Sequence, residues 1–375
     1  MYTKYLKYKA KYLKLKNKIG GAICDKCEKE KQAATSVDQN NVCNCETSRL
    51  EGILQTAGIV STIAPCLSIT EGRVLKATVP DGDPLPNILK THIKDAKVKQ
   101  VSAGGVQSLA VLENGSVEAW GNNTFGRRNV PDFGGVPVVQ VSAGQSHLLA
   151  LLENETVRAW GYHGLCDVPN FGGVPVVQVS AGQSHSLALL VDGSVRAWGD
   201  HNFNRYNVPD FGGVKVQEVS AGTVHALALL ADGRVRAWGD YSFVQRNVPD
   251  FGGVPVVQVS AGGAYSLALL ADGSVRAWGD IYFGKCDVPD FGGVRVVQVS
   301  AGGAHSLALL ADGSVRAWGN KYFGKCDVPD FGGIKVEQVS AGGQHSLALL
   351  QNGRVRAWGD NSNGQCTVPD FRYFA

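Results

Sequence analysis

The sequence predicts an all-β fold, a seven-bladed β-propeller with short blades of three strands and room for a short fourth. Three observations carry this. The first is a period. Ser-Ala-Gly recurs at Ser102, Ser142, Ser180, Ser220, Ser260, Ser300 and Ser340, and Trp-Gly at Trp120, Trp160, Trp198, Trp238, Trp278, Trp318 and Trp358. These are all seven tryptophans, spaced by 40, 38, 40, 40, 40 and 40 residues. A fixed period of that length marks a solenoid, a propeller or a similar array. The second is the strand pattern inside one unit. The third is the way the array ends: its last unit is a full copy, whereas an open stack needs polar, atypical caps. A closed ring needs none.

Within one unit, Val296–Ala301 alternates and is rich in β-branched residues, as a strand requires. His305–Leu310 follows Gly302-Gly303, and Ser314–Trp318 follows Asp312-Gly313. Asp-Gly between apolar runs is a hairpin signal, because glycine supplies the positive φ of a tight turn. Each unit then closes in Val-Pro-Asp-Phe-Gly-Gly, where proline lacks a donor and argues against a central fourth strand. Leu307 and Leu309 point one way and Ser306, Ala308 and Leu310 the other, so both faces are apolar. Sheets of that kind pack between two neighbours, with each Trp filling the space between blades.

Taken in order, residues 1–21 open with seven lysines from Lys4 to Lys18 and no acid among them. Tyr5, Tyr8, Tyr12, Leu15 and Ile19 fall at helical spacing, and Gly20-Gly21 ends the pattern. This predicts a basic amphipathic helix that addresses an anionic surface or a partner groove, with a solvated tail as the alternative. The Tyr-Leu-Lys-Tyr-Lys run resembles the N-terminal segment of many otherwise unrelated mimivirus proteins. That resemblance implies a virus-encoded protein made in host cytoplasm, placed there, in the viral factory or in the virion.

Residues 22–48 form a polar linker holding Cys24, Cys27, Cys43 and Cys45. Paired thiolates can hold zinc tetrahedrally, but the second pair has one intervening residue rather than two. Free thiols are the simpler reading, and no other cofactor is expected. In residues 49–96, Cys66–Ala77 reads as a worn copy of the repeat without its Trp, either a degenerate extra blade or strands covering the ring. Pro80, Pro84 and Pro86 break the chain before the regular units of 97–371. Ile53–Ile69 is uncharged but short and polar for a membrane span. With no signal-peptide pattern, the nine cysteines point to a reducing compartment and a protein that is not secreted.

The net charge of +3 hides an asymmetry. Residues 97–375 hold 21 basic and 23 acidic side chains, against 15 and 10 in residues 1–96. A near-neutral ring lacks the basic balance of a dedicated nucleic-acid binder.

Inside the ring, histidine precedes the second strand at His147, His185, His225, His305 and His345, with Gln107 and Tyr265 in the other units. The polar replacements favour hydrogen bonds bracing each histidine's own blade over a metal ring. Arg158, Arg196, Arg236, Arg276, Arg316 and Arg356 stand two residues before Trp, and internal ion pairs with nearby aspartates are expected. Asp-Phe-Gly repeats at Asp132, Asp210, Asp250, Asp290 and Asp330, which rules out a kinase segment, where it occurs once. Cys166, Cys286, Cys326 and Cys366 share one loop position on separate units, too far apart for disulfides.

The units differ mainly after Trp-Gly. Phe125, Tyr162, Phe203, Tyr241, Phe243, Tyr282 and Tyr322 lie there, and loops on a rigid scaffold are where recognition concentrates. These seven are the candidate binding residues.

The pattern G-G-x-H-S-L-A-L…D-G-x-V-x-A-W-G-D-N…G-Q, fullest at Ala341–Gln365, resembles the repeats of the regulator of chromosome condensation family. The resemblance covers residues 97–371 and implies a seven-bladed propeller that binds other proteins. Its short period most resembles compact members with three-stranded blades. The founding member exchanges nucleotide on the small GTPase Ran through a projecting wedge. The linkers here are within two residues of one another in length, so no wedge is visible. The expected function is a monomeric, non-enzymatic scaffold for protein partners, with an exchange-factor-like or chromatin-associated regulator as the alternative.

Overall fold

Each repeat folds into one three-stranded antiparallel sheet, and the seven sheets form the blades of a closed ring. Blade 1 is Val98–Ala103, Gln107–Leu112 and Val117–Gly121, and blade 7 is Val336–Ala341, His345–Leu350 and Val355–Gly359. Blades 2 to 6 repeat the plan from Val138, Val176, Val216, Val256 and Val296. No blade carries a fourth strand among the described residues. The computed structural model describes residues 67–68, 76–77, 93–199, 207–240 and 245–374. The basic segment 1–21, the cysteine set Cys24, Cys27, Cys43 and Cys45, and Phe203, Tyr241 and Phe243 lie outside those residues.

The chain divides into two units, Met1–Thr91 and His92–Ala375. In the first, Leu67–Ser68 pairs antiparallel with Lys76–Ala77, within the worn copy of the repeat. The second is the propeller.

Every middle strand is buried along its whole length, which explains why it reads apolar on both faces. The core is divided into one cluster per seam. At the seam of blades 1 and 2, Leu109, Val111 and Val117 pack against Val138, Val141, Leu148, Leu152 and Trp160. Phe133 of the linker meets Trp160 edge-on at 6.2 Å, and the same pair recurs around the ring to Phe371 and Trp120 at 5.9 Å.

The inner strands need a further device, because each has an unpaired edge facing the neighbouring blade. Glutamine and serine side chains supply the missing partners. Val141 N–H donates to Gln100 Oε1 at 2.8 Å, and Gln100 Nε2 donates to Val141 O at 3.2 Å. Ala143 N–H donates to Ser102 Oγ at 2.9 Å. The last seam repeats the first: Val101 N–H donates to Gln338 Oε1 and Ala103 N–H to Ser340 Oγ, both at 2.9 Å. The ring is therefore closed by its ordinary seam contacts. Pairing of Arg372–Phe374 with Ile93–Asp95 adds to this closure.

Blade 4 breaks the glutamine rule with Glu218, whose Oε2 accepts from Val259 N–H at 3.1 Å. A carboxylate cannot return a hydrogen bond to the Val259 carbonyl as an amide does. Burial accordingly pushes its pKa up to about 7, partly opposed by the Val259 hydrogen bond. The folded state thus holds this proton more tightly than the unfolded chain, and stability is lost as pH rises from the ordinary carboxylate range through about 7. Glu218→Gln is expected to stabilise the ring by about 2 kcal/mol above pH 8 and to change little near pH 5. Urea midpoints of both proteins at the two pH values check this, and equal midpoints at high pH would refute it.

Tryptophans also tie the seams. Trp318 Nε1 donates to Lys285 O at 2.9 Å, and Trp120 Nε1 closes the circle on Gln365 O at 2.9 Å. Trp198 is the exception: its buried Nε1 has no acceptor. The loop before it, in the unit two residues short, puts Leu165 where the others carry a polar residue. Trp318→Phe should therefore cost about 1 kcal/mol more than Trp198→Phe, because only the former strands a buried carbonyl. Paired denaturation curves test the difference.

Candidate functional site

The turns after the inner strands and the loops after Trp-Gly share one face of the ring. Backbone bonds hold them together: Asn122 N–H donates to Val106 O at 3.0 Å, Asp280 N–H to Ala264 O at 2.9 Å, and Asp360 N–H to Gln344 O at 2.9 Å. The variable loops among the described residues thus surround the mouth of the central channel.

That mouth is a cavity of about 580 Å³ lined by the Ala-Gly ends of all seven inner strands. Neighbouring blades approach so closely here that a circle of backbone bonds joins them. Gly303 N–H donates to Gly342 O and Gly343 N–H to Gly104 O, each at 3.0 Å. The rim is uneven. Gln145, Gln183 and Thr223 stand on blades 2 to 4, whereas Gly105, Gly303 and Gly343 hold the same position on blades 1, 6 and 7.

Just outside this circle, the histidines bind across the seams rather than within their own blades. His345 Nε2 lies 2.9 Å from Ser108 Oγ, and His305 Nε2 lies 2.8 Å from Ser346 Oγ. Ser108 gives its proton to Gln365 O at 2.9 Å, so His345 must donate from Nε2. Its Nδ1 is then a bare acceptor, buried and without a partner, as are those of His147, His225 and His305. Burial holds His147, His225 and His345 down to about 4. His305 falls to about 3, through burial and then the charges of Lys325 and His345. Gln107 and Tyr265 also reach the next blade: Gln107 Nε2 donates to Gly144 O at 2.7 Å, and the Tyr265 hydroxyl donates to His305 O at 2.5 Å. A residue chosen to brace its own blade would not need this reach. The correction is to the seam.

The outer-strand arginines also differ from expectation. Arg158, Arg196, Arg236, Arg276, Arg316 and Arg356 are exposed. Arg196, Arg276 and Arg316 donate only to the carbonyl of the preceding valine, at 3.2–3.3 Å. The ion pairs among described residues are instead Arg234–Asp232 and Lys285–Asp280. An outer strand leaves these side chains in water, where pairing gains little. The Asp-Phe-Gly aspartates are structural, as in Asp330 Oδ1 accepting from Gly332 N–H at 2.8 Å. The loop thiols of Cys166, Cys286, Cys326 and Cys366 are free and half-buried, with burial pushing Cys286 and Cys366 up to about 11.

Of the candidate binding residues, Phe125, Tyr162, Tyr282 and Tyr322 are exposed on this face. Aromatic pairs bridge adjacent loops, with Phe125 to Tyr162 at 5.0 Å and Phe283 to Tyr322 at 6.5 Å. Sequence reasoning missed Ile281, Phe283 and Phe323, exposed by 71 %, 60 % and 64 %. The signal was available, since Phe283 and Phe323 occupy the loop position of Phe125.

Phe125, Phe283 and Phe323 share an unusual backbone, with φ of 62°, 64° and 63°. A bulky residue in the left-handed region costs on the order of 1–2 kcal/mol, and these three recover none of it by burial. Their contacts are few and lie at the surface: Tyr162 and Arg127 for Phe125, Tyr322 for Phe283, and Lys325 for Phe323.

The residue two positions further on is buried in every described loop: Arg127, Leu165, Gln245, Lys285, Lys325 and Gln365. Except at Leu165, its carbonyl can serve the Trp of the next blade, as for Arg127 O and Trp160 Nε1 at 2.9 Å. Lys285 pairs with Asp280. In blade 6 the matching residue is Asn320, and Lys325 turns to Gln344 Oε1.

The profile of the regulator of chromosome condensation (RCC1) repeat matches residues 98–127, 138–164, 176–205, 216–243, 256–284, 296–325 and 336–365, more than half of the chain. The chain belongs to the RCC1 repeat family. No curated protein matches it. Three solved structures share the fold at low identity. The ectodomain of the Physcomitrella patens receptor kinase CR4 is 20% identical, with a TM-score of 0.58, covering 71% of this chain and 74% of that one. Human WBSCR16 is 21% identical, with a TM-score of 0.58 and coverages of 68% and 87%. Prp20p of Saccharomyces cerevisiae, described with its binding to Gsp1p and histones, is 21% identical, with a TM-score of 0.58 and coverages of 72% and 84%. No helix among the described residues is long and apolar enough to cross a membrane.

Proposed function

We propose that this RCC1-repeat propeller is a non-enzymatic scaffold for protein partners, virus-encoded and acting in host cytoplasm or the viral factory. The observation that supports it best is the set of exposed aromatic side chains around the channel mouth, three of them on strained backbone. Strain without burial is retained where the exposed group has work to do. Aromatic residues on a rigid surface are also the usual anchors of protein interfaces. Likeness to Prp20p at this identity bears on the fold, so exchange on a Ran-type GTPase is not carried across.

The test compares affinity capture from infected host cells by the full chain and by a variant with Tyr282, Phe283, Tyr322 and Phe323 all changed to alanine. A partner held by the full chain and lost by the folded variant is the expected result. Undiminished capture by the variant would sink the reading.

A further inference from the structure

We propose that the channel mouth receives an acidic loop of a protein partner, its carboxylate beside Arg127 and its apolar flanks on the aromatic side chains of blades 5 and 6. This rests on the interaction reading above and names the chemistry of the partner.

Charge carries the argument. Among the described residues, Arg127 is the one charged side chain lining the cavity, and no carboxylate lines it. Only 6 % exposed, it is held by neutral acceptors alone. Its Nε donates to Thr124 O at 2.9 Å, and one terminal nitrogen donates to Asn122 Oδ1 at 2.7 Å. The other terminal nitrogen donates to Gln145 O at 2.5 Å and Gln107 Oε1 at 3.3 Å. These bonds solvate the guanidinium without cancelling its charge, and burial lowers its pKa from the ordinary value.

Comparison between blades sharpens the point. Blade 5 places Asp280 against Lys285, but blade 1 has Asn122 at that position and blade 6 has Asn320. Lys325 consequently rests on Gln344, which itself lines the cavity. Two buried cations near the mouth thus meet amides where the repeat elsewhere supplies a carboxylate. Of the described acids on these loops, Asp280 is engaged with Lys285, and Asp360, whose charge also reaches Lys325, with Ser362 Oγ at 3.0 Å and Gln365 Nε2 at 2.9 Å. An anion from outside is the missing complement.

Shape agrees with charge. The glycine side of the rim leaves an open entry, and Gln145, Gln183 and Thr223 opposite it can hydrogen-bond a polar tip. Ile281, Tyr282, Phe283, Tyr322 and Phe323 lie on the loops of two neighbouring blades and can hold the loop's apolar flanks. Exposed Asp287 and Asp327 on the same loops disfavour a polyanion such as a nucleic-acid strand.

The experiment is selection from a phage-displayed library of short, disulfide-closed random peptides against the full chain. The expected peptides carry Asp or Glu beside aromatic residues. Arg127→Gln should weaken them at least about tenfold, and Arg127→Lys should retain most of the affinity. Both substitutions should fold, since the same loop position is Gln in blades 4 and 7 and Lys in blades 5 and 6. Changing the peptide's Asp to Asn should reproduce the loss.

Peptides that need Phe283 and Phe323 yet ignore Arg127→Gln would overturn the carboxylate inference and leave the interaction face standing. Peptides indifferent to both sets, or no enriched peptide at all, would overturn both. A single-stranded oligonucleotide that binds the full chain and displaces the acidic peptides would also overturn the inference.

Discussion

Acidification to about pH 4.5 is expected to unfold the propeller, in a loss of stability that begins near pH 6.5, before surface carboxylates titrate. Burial depresses His147, His225 and His345 to about 4 and His305 to about 3, against an ordinary 6.5. Below 6.5 the unfolded chain therefore binds protons that the folded ring refuses. The stabilisation is complete above 6.5 and is lost as pH falls toward the folded values. Four such groups give a slope of roughly 5 kcal/mol per pH unit between their unfolded and folded values. A fall of about two pH units then matches the whole stability of a typical domain, about 5–15 kcal/mol. Glu218 acts in the opposite direction, regaining stability as pH falls through about 7, but it is a single group.

The physical cause is specific. Protonation would place a hydrogen on each Nδ1, where no acceptor stands, and a positive charge inside an apolar seam. Urea midpoints measured from pH 7.5 down to about pH 4.5 check the slope. His345→Gln should remove about a quarter of it. A flat profile over that range would show that the seams tolerate the charge.

The ring was legible in the sequence to an unusual degree because repetition multiplies a weak signal. One Asp-Gly between apolar runs suggests a hairpin. Asp-Gly in four units and Asn-Gly in two more, at a fixed spacing from Trp, leave few other folds. What stayed hidden lies between the repeats. Gln100 and Ser102 read as polar positions on a strand, and nothing local says that they complete the edge of Val138–Ala143. The histidines were assigned to their own blades for the same reason: a seam contact joins residues about forty positions apart. Of the site, the exposed aromatics of the loops were readable as loop residues. The pairing of Phe283 with Tyr322, and the lack of a carboxylate for Arg127, needed coordinates. Sequence variation marked the face, and geometry marked its chemistry.

The same seam geometry predicts that Gly302→Ala will be among the most damaging single substitutions in the ring. A Cβ there would lie 2.5 Å from Gly342 O, 2.9 Å from His305 Cε1 and 3.0 Å from His305 Nδ1. None of these can yield cheaply. Gly342 O is fixed by Gly303 N–H, and the imidazole is held by Ser346. Moving either one pushes blade 6 away from blade 7, stretching the bond from Ala341 N–H to Ser300 Oγ in the same seam. A closed ring cannot absorb that shift at one seam without opening another.

Gly292→Ala is the control. It has φ of +65° and nothing within 4 Å, so only backbone strain is at issue. The expected losses are about 3 kcal/mol or more for Gly302→Ala and about 1 kcal/mol for Gly292→Ala. Denaturation midpoints of the two variants against the parent chain decide the matter. Equal losses would mean that the seams are soft and that the Ser-Ala-Gly glycines serve only the turn. A threefold difference would place the rigidity of the channel mouth, and of the surface it presents, in the contact between neighbouring glycines.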